Sequence, residues 1–245
     1  MQEKKSSSVG IIVAIIVVSL LIAGGVVATA LIISANNSGS SVSDDGDKPD
    51  VAEIQKPSEN DNPGILATDH VRGKRDSRVL VVEYADPQCP GCATMMPKMD
   101  AIYEEYKDRV AFVYRHYPIT GHQNAVSAAV AIEAAGKQGY FWEMLSAVFD
   151  NRSDWVYESG SDLADAYVEI FEGVAGKKGD SEQFREDLGN SELKKKVNND
   201  KKLGQEDEIS ATPTIIVNGE QIDFYSGYSD PKTTITKAID EALKD

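Results

Sequence analysis

Apolar and polar positions divide the chain into three regimes. Ile11 to Ile33 is uncharged and apolar, about 23 residues in a row. As a helix it would be roughly 35 Å long, enough to cross a hydrocarbon core of ~30 Å. The stretch predicts a transmembrane helix at residues 11–33. A cleavable signal peptide is the competing reading, and Ala28-Thr29-Ala30 resembles a cleavage site. The apolar part of such a peptide is usually only ~7–15 residues, so a retained anchor fits better. Lys4 and Lys5 precede the span, and no lysine follows it until Lys48. That asymmetry puts residues 1–10 in the cytoplasm and the rest outside the cell membrane. Residues 34–64 form the second regime. Asn36 to Pro63 is rich in Ser, Asn, Asp, Gly and Pro, cannot bury enough surface to order itself, and reads as a flexible linker.

The third regime, residues 65–245, has the patterning of a folded domain. Val79 to Ala85 is an apolar run that reads as a buried strand. Met95, Met99, Ile102, Tyr103 and Tyr106 then fall on one helix face. Pro97 lies inside that helix and is expected to kink it. Val110 to Tyr114 is the next strand. Strand, helix, strand predicts a parallel pair with a right-handed crossover. A helical tract follows, at about residues 120–208. His122–Ala135 is Ala-rich and apolar on more than one side, and Tyr140–Phe149 brings Tyr140, Phe141 and Trp142, expected in the core of this insert. Leu163–Val174, Ser181–Leu188 and Ser191–Glu206 are increasingly charged and so read as more exposed helices. Pro213–Val217 is a strand, Asn218-Gly219 a type I′ hairpin signal, and Glu220–Phe224 the antiparallel return. Asp230-Pro231 caps and opens a last helix, with Ile235, Ala238, Ile239, Ala242 and Leu243 on one face. The order predicts an α/β domain, βαβ then a helical insert then ββα, with helices on both sides of a small mixed sheet.

Composition changes this picture in two places. A chain of 245 residues suits one good-sized domain with additions. Its net charge of −15 argues against a nucleic-acid partner and suits a solvated surface. The second change comes from Cys89 and Cys92, the two cysteines of the sequence. A domain this large needs no staples, so a lone close pair points to chemistry. The pair sits where a strand ends and a helix begins. A thiol there faces unpaired backbone N–H groups and the positive end of the helix dipole, which favour thiolate. Thiolate is the form that attacks disulfides. Half of a zinc site is a poorer fit: zinc takes four ligands, and His70, His116 and His122 do not stand at finger-like spacing. By strand parity Glu83 points with Val79 and Val81 towards the core, where burial would raise its pKa. A strand-edge surface position is the alternative. Asp86 reads as a turn residue. His116 and His122 either donate to the thiolate or substrate, or are surface and capping histidines. Thr212-Pro213 on its own reads as an ordinary proline opening a strand.

Taken together, these residues resemble the thioredoxin superfamily, and within it the DsbA-like thiol–disulfide oxidoreductases. Cys89-Pro90-Gly91-Cys92 has the active-site spacing, with proline first in the dipeptide as in oxidase and isomerase branches. Pro97 matches the helix proline of that superfamily. Ala211-Thr212-Pro213-Thr214 resembles its cis-proline segment. Arg115-His116-Tyr117-Pro118-Ile119, then Gly121-His122-Gln123-Asn124-Ala125, also resembles DsbA-type chains. The likeness covers about residues 65–245 and implies a thioredoxin-like fold with an inserted α-helical subdomain. One departure stands out: Gly91 occupies the place of a histidine in the best-known oxidase pattern.

The resemblance implies a redox-active Cys89–Cys92 disulfide with no further cofactor and no metal. Cys89 is then the exposed nucleophile and Cys92 the shielded resolving thiol. Pro213 would be cis, leaving backbone groups of Thr212 free to pair with an extended substrate. Glu83 matches a buried glutamate that could shuttle the Cys92 proton. A helix terminus supplies at most about 2 kcal/mol and Gly91 adds no side chain, so the expected Cys89 pKa is roughly 5–7. The implied function is a membrane-tethered, extracytoplasmic enzyme acting on cysteines of exported proteins and recharged by a quinone-linked membrane partner. A disulfide isomerase or reductase, or a non-catalytic thioredoxin-like binding module, are the alternatives.

Overall fold

The structure is a computed structural model and describes Asn62, residues 64–225 and residues 230–244. The expected transmembrane helix at 11–33 and most of the linker lie outside the described residues. Among the described residues no helix is long and apolar enough to cross a membrane.

Five strands form one mixed sheet in the order β1-β3-β2-β4-β5. They are β1 (His70–Gly73), β2 (Leu80–Ala85), β3 (Ala111–His116), β4 (Thr214–Val217) and β5 (Glu220–Gln221). β2 and β3 are parallel, joined by helix α1 (Pro90–Tyr106), as the βαβ pattern requires. The remaining pairs are antiparallel. All six residues of β2 are buried, which explains why its run is apolar apart from Glu83. Val79 and Val81 face α1 and the last helix, α8 (Pro231–Ala242), packing with Met95, Met99, Ile235 and Ile239. Leu80, Val82 and Tyr84 face the other way, towards Ile65 and Ile209. α1 runs through Pro97 as one helix. Asn218 and Gly219 take φ of 48° and 88°, the left-handed pair that a type I′ turn needs. The Asp230 carboxylate caps α8 by accepting from Lys232 N at 3.0 Å.

The insert comprises α2 (Ala125–Lys137), α3 (Phe141–Asp150), α4 (Arg152–Trp155), α5 (Gly160–Ala175), α6 (Ser181–Asp187) and α7 (Ser191–Glu206). Phe141 is buried in a core shared with Cys89, Cys92 and Tyr114, with Tyr140 and Trp142 packed at its margin. Three features depart from the sequence pattern. β1 is too short to show a period. The return strand stops at Gln221 instead of reaching Phe224, which drops into the core beside α8. α4 is a single turn.

Candidate functional site

The end of β2 delivers the chain into a tight turn. Cys89 N donates to Asp86 O at 3.0 Å, and Cys89 itself is the extended N-cap of α1. Pro90 then opens the helix, where a missing N–H costs nothing. Both cysteines are free thiols in this structure, the reduced counterpart of the expected disulfide. Cys92 is 0% exposed and Cys89 8%. The nucleophile candidate is therefore largely covered rather than standing free on the helix tip. What covers it is the segment before β4. Thr212-Pro213 is cis, and the Thr212 carbonyl accepts from Cys89 Sγ at 3.5 Å. Gly91 lies against the same bend; a Cβ there would sit 3.6 Å from both Cys89 Sγ and Pro213 Cδ.

The two sulfurs are pushed apart in acidity. The Cys92 thiol hydrogen-bonds Cys89 and is the largest of the causes that lower the Cys89 pKa to about 5; burial opposes it, and the backbone N–H groups of Cys92 and Gly91 assist. This value lies at the low edge of the expectation, because the partner thiol adds a hydrogen bond to what the helix terminus supplies. Cys92 goes far upward, chiefly through burial and then through donating to Cys89. Asp86 N donates to Cys92 Sγ at 3.5 Å.

Glu83 is buried on the predicted face, paired in register with Tyr114 on β3. Burial raises its pKa to about 7; Arg72 opposes the rise and Asp100 adds to it. Glu83 Oε1 and Tyr114 Oη have no hydrogen-bond partner among the described residues. Arg72 is held between Tyr103 and Trp142, 4.2 and 4.4 Å from the ring centroids, and bonds Asp100 at 3.0 Å.

The histidines do not meet the thiols. His116 is fully buried, neither a surface residue nor a cap, and its Nε2 lies 3.2 Å from Glu133 Oε1. His116, Glu133 and Asp200 converge closely enough to suggest a metal set. Lys196 Nζ, 2.6 Å from Asp200 and 3.5 Å from Glu133, already supplies the positive charge there. His122 Nδ1 pairs with Asp86 Oδ2 at 2.7 Å. Asp86 is far more than a turn residue: its buried carboxylate also accepts from Gln88 N at 2.7 Å and Ile119 N at 2.8 Å. Tyr225 was not singled out by the sequence; its hydroxyl donates to Pro213 O at 3.0 Å. The ring is largely exposed, but partial desolvation of the hydroxyl, and then the nearby cysteines, push its pKa up to about 12. Neither residue carries a periodicity signal, since each acts through a contact distant in sequence.

Comparison with known proteins adds four findings. A family model described as Thioredoxin matches residues 66–241. The chain is 30% identical over 190 residues, 73% of itself and 80% of the relative, to a probable disulfide bond formation protein D of Bacillus cereus. It is 36% identical over 154 residues to a Na(+)/H(+) antiporter NhaA 1 of Mycolicibacterium vanbaalenii. That match takes in 62% of this chain but 23% of the antiporter, so the chain spans about a quarter of the length of such relatives. Among solved structures, oxidised BdbD from Bacillus subtilis superimposes with a TM-score of 0.60 at 27% identity, covering 73% of this chain and 94% of BdbD.

Proposed function

The chain belongs to the thioredoxin family, and from that premise we propose that it is a protein thiol–disulfide oxidoreductase working through Cys89 and Cys92. The observation that carries the reading is the split in acidity between two adjacent sulfurs, one drawn down to about 5 and the other driven up. A low-pKa thiol is a good leaving group, which favours passing a disulfide on to a substrate. In that direction a substrate thiolate bonds to Cys89 Sγ, the Cys89–Cys92 bond breaks, and its electron pair goes to Cys92. A second substrate thiolate then attacks the substrate sulfur of the mixed disulfide. Cys89 leaves as thiolate, the substrate gains a disulfide, and the pair is left reduced. Glu83, neutral or charged near pH 7, is suited to exchange a proton with the Cys92 side of the site. Thr212 offers backbone groups beside Cys89 to an extended substrate segment.

The relative named for disulfide bond formation supports cysteine-bearing proteins as substrates, and exported ones are those that a domain outside the cytoplasm would meet. The apolar span at 11–33 supports a cell-membrane tether with the catalytic domain outside the cytoplasm. A tether would keep the domain near a quinone-linked membrane protein able to restore the disulfide. The test is disulfide formation in a reduced client protein together with the reduction potential of the pair. We expect Cys89→Ser to abolish turnover and the potential to lie nearer −120 than −270 mV. Client binding that is kept in Cys89→Ser, with no turnover in the wild type, would leave a binding module as the reading, turnover that survives Cys89→Ser would remove Cys89 from the reaction, and a potential near −270 mV would leave a reductase.

A further inference from the structure

Asp86 touches both cysteines through its backbone, accepting from Cys89 N at 3.0 Å and donating to Cys92 Sγ at 3.5 Å. Its carboxylate is fully buried, yet one of its partners, His122, is 30% exposed and belongs to the segment leading into the insert. A carboxylate only accepts, so the 2.7 Å contact assigns a proton to His122 Nδ1. Within the exchange proposed above, Cys92 departs as a thiolate in a site with no exposure, where every nearby charge and donor weighs heavily. We propose that His122 is a positioning residue for the dithiol. Its Nδ1–H offsets the Asp86 carboxylate and holds the Asp86 peptide N–H against the sulfur that leaves. The other groups facing the two sulfurs are Thr212 from the cis-proline bend, Tyr225 after β5 and Tyr114 on β3; Glu83 faces Tyr114 from β2.

Losing the ring leaves the carboxylate less compensated beside Cys92 and disfavours thiolate. His122→Ala should therefore shift the glutathione equilibrium of the pair about tenfold towards the disulfide, which for two electrons is about 30 mV more reducing. The alkylation midpoint of Cys89 should rise with it. Asp86→Asn removes the charge itself and should shift both readouts the opposite way. His122→Gln keeps an N–H donor on a longer, more flexible side chain and should fall between wild type and His122→Ala; it also carries the test if the alanine variant does not fold. A purely structural role would move His122→Ala and Asp86→Asn in the same direction. That result, or shifts below twofold in folded variants, overturns the assignment. Wild-type protein that fails to equilibrate with glutathione at all would instead overturn the exchange reading on which this one rests.

Discussion

Cys89 and Glu83 titrate in opposite senses across one pH window. Glu83 is raised from 4.5 to about 7 in the folded protein. Its contribution to stability is intact below the unfolded value and is lost as pH rises through the folded one. Cys89 is lowered from 9.0 to about 5, so its contribution is present above the unfolded value and is lost as pH falls through about 5. Between about pH 5 and 7 the two slopes, each about 1.4 kcal/mol per pH unit, oppose one another. Reduced protein should accordingly show a flat stability over that range. The disulfide form and Cys89→Ser lack the thiol titration and should lose stability with rising pH, by up to about 3 kcal/mol. Glu83→Gln placed in the Cys89→Ser background should flatten the curve again. Urea unfolding at half-unit pH steps measures all of these, and a level curve for Cys89→Ser would mean that Glu83 does not carry the titration. Strand parity alone was enough to turn Glu83 inward. Parity could not show that Tyr114 is its neighbour, since that follows from the register of β2 against β3.

At the level of elements, the sequence pattern located α1, α7 and α8 to within a residue or two, α1 and α8 because each buries one regular face. It was silent on how tightly they seat. α7 approaches the sheet at Gly204, where a Cβ would stand 2.6 Å from Tyr117 Cδ2 and 3.1 Å from Tyr84 Cδ1. Neither ring can retreat freely. Tyr117 Oη donates to Ile209 O at 2.6 Å and Tyr84 Oη to Asp207 Oδ2 at 2.8 Å. Gly204→Ala should destabilise the domain by about 1–3 kcal/mol through overpacking. Gly173, exposed within α5 and with nothing within 4 Å of a Cβ, is its control. Gly173→Ala should stabilise by about 0.5–1 kcal/mol through helix propensity alone. Thermal melts of the two variants should move in opposite directions. A neutral Gly204→Ala would show that α7 can slide away from the sheet. Both residues look alike in the sequence, as single glycines within helical patterns, and only the packing partner separates them.

Across the whole domain, the insert is fastened to the sheet by charges rather than by apolar contact alone. Lys196 and Asp200 on α7, Glu133 on α2, His116 on β3 and His70 on β1 form one connected cluster. Burial pushes Glu133 up, yet Lys196 and the two histidines outweigh it and hold the carboxyl well below its usual range. Asp200, dominated by its own burial, moves the other way. The sequence pattern assigned Ser191–Glu206 to an exposed helix because its residues are mostly charged. That is true of most of its surface, but Lys196 and Asp200 occupy the inner face, and composition cannot distinguish a solvated charge from a paired one. Lys196→Met would leave two buried carboxylates without their cation, an arrangement that costs about 3–5 kcal/mol when one partner of a buried pair is removed. The loss should extend beyond α7. His116 is paired in register with Ala85, directly before the Asp86 turn, and the segment after His116 carries Ile119 and His122 onto the Asp86 carboxylate. Amide hydrogen exchange should then quicken in β3 and at residues 117–122 as well as in α7. If the faster exchange stayed within α7, the cluster would be holding one helix in place, and the link from the insert to the dithiol turn would have to run through Arg152 and Asn124 on Gln88 instead.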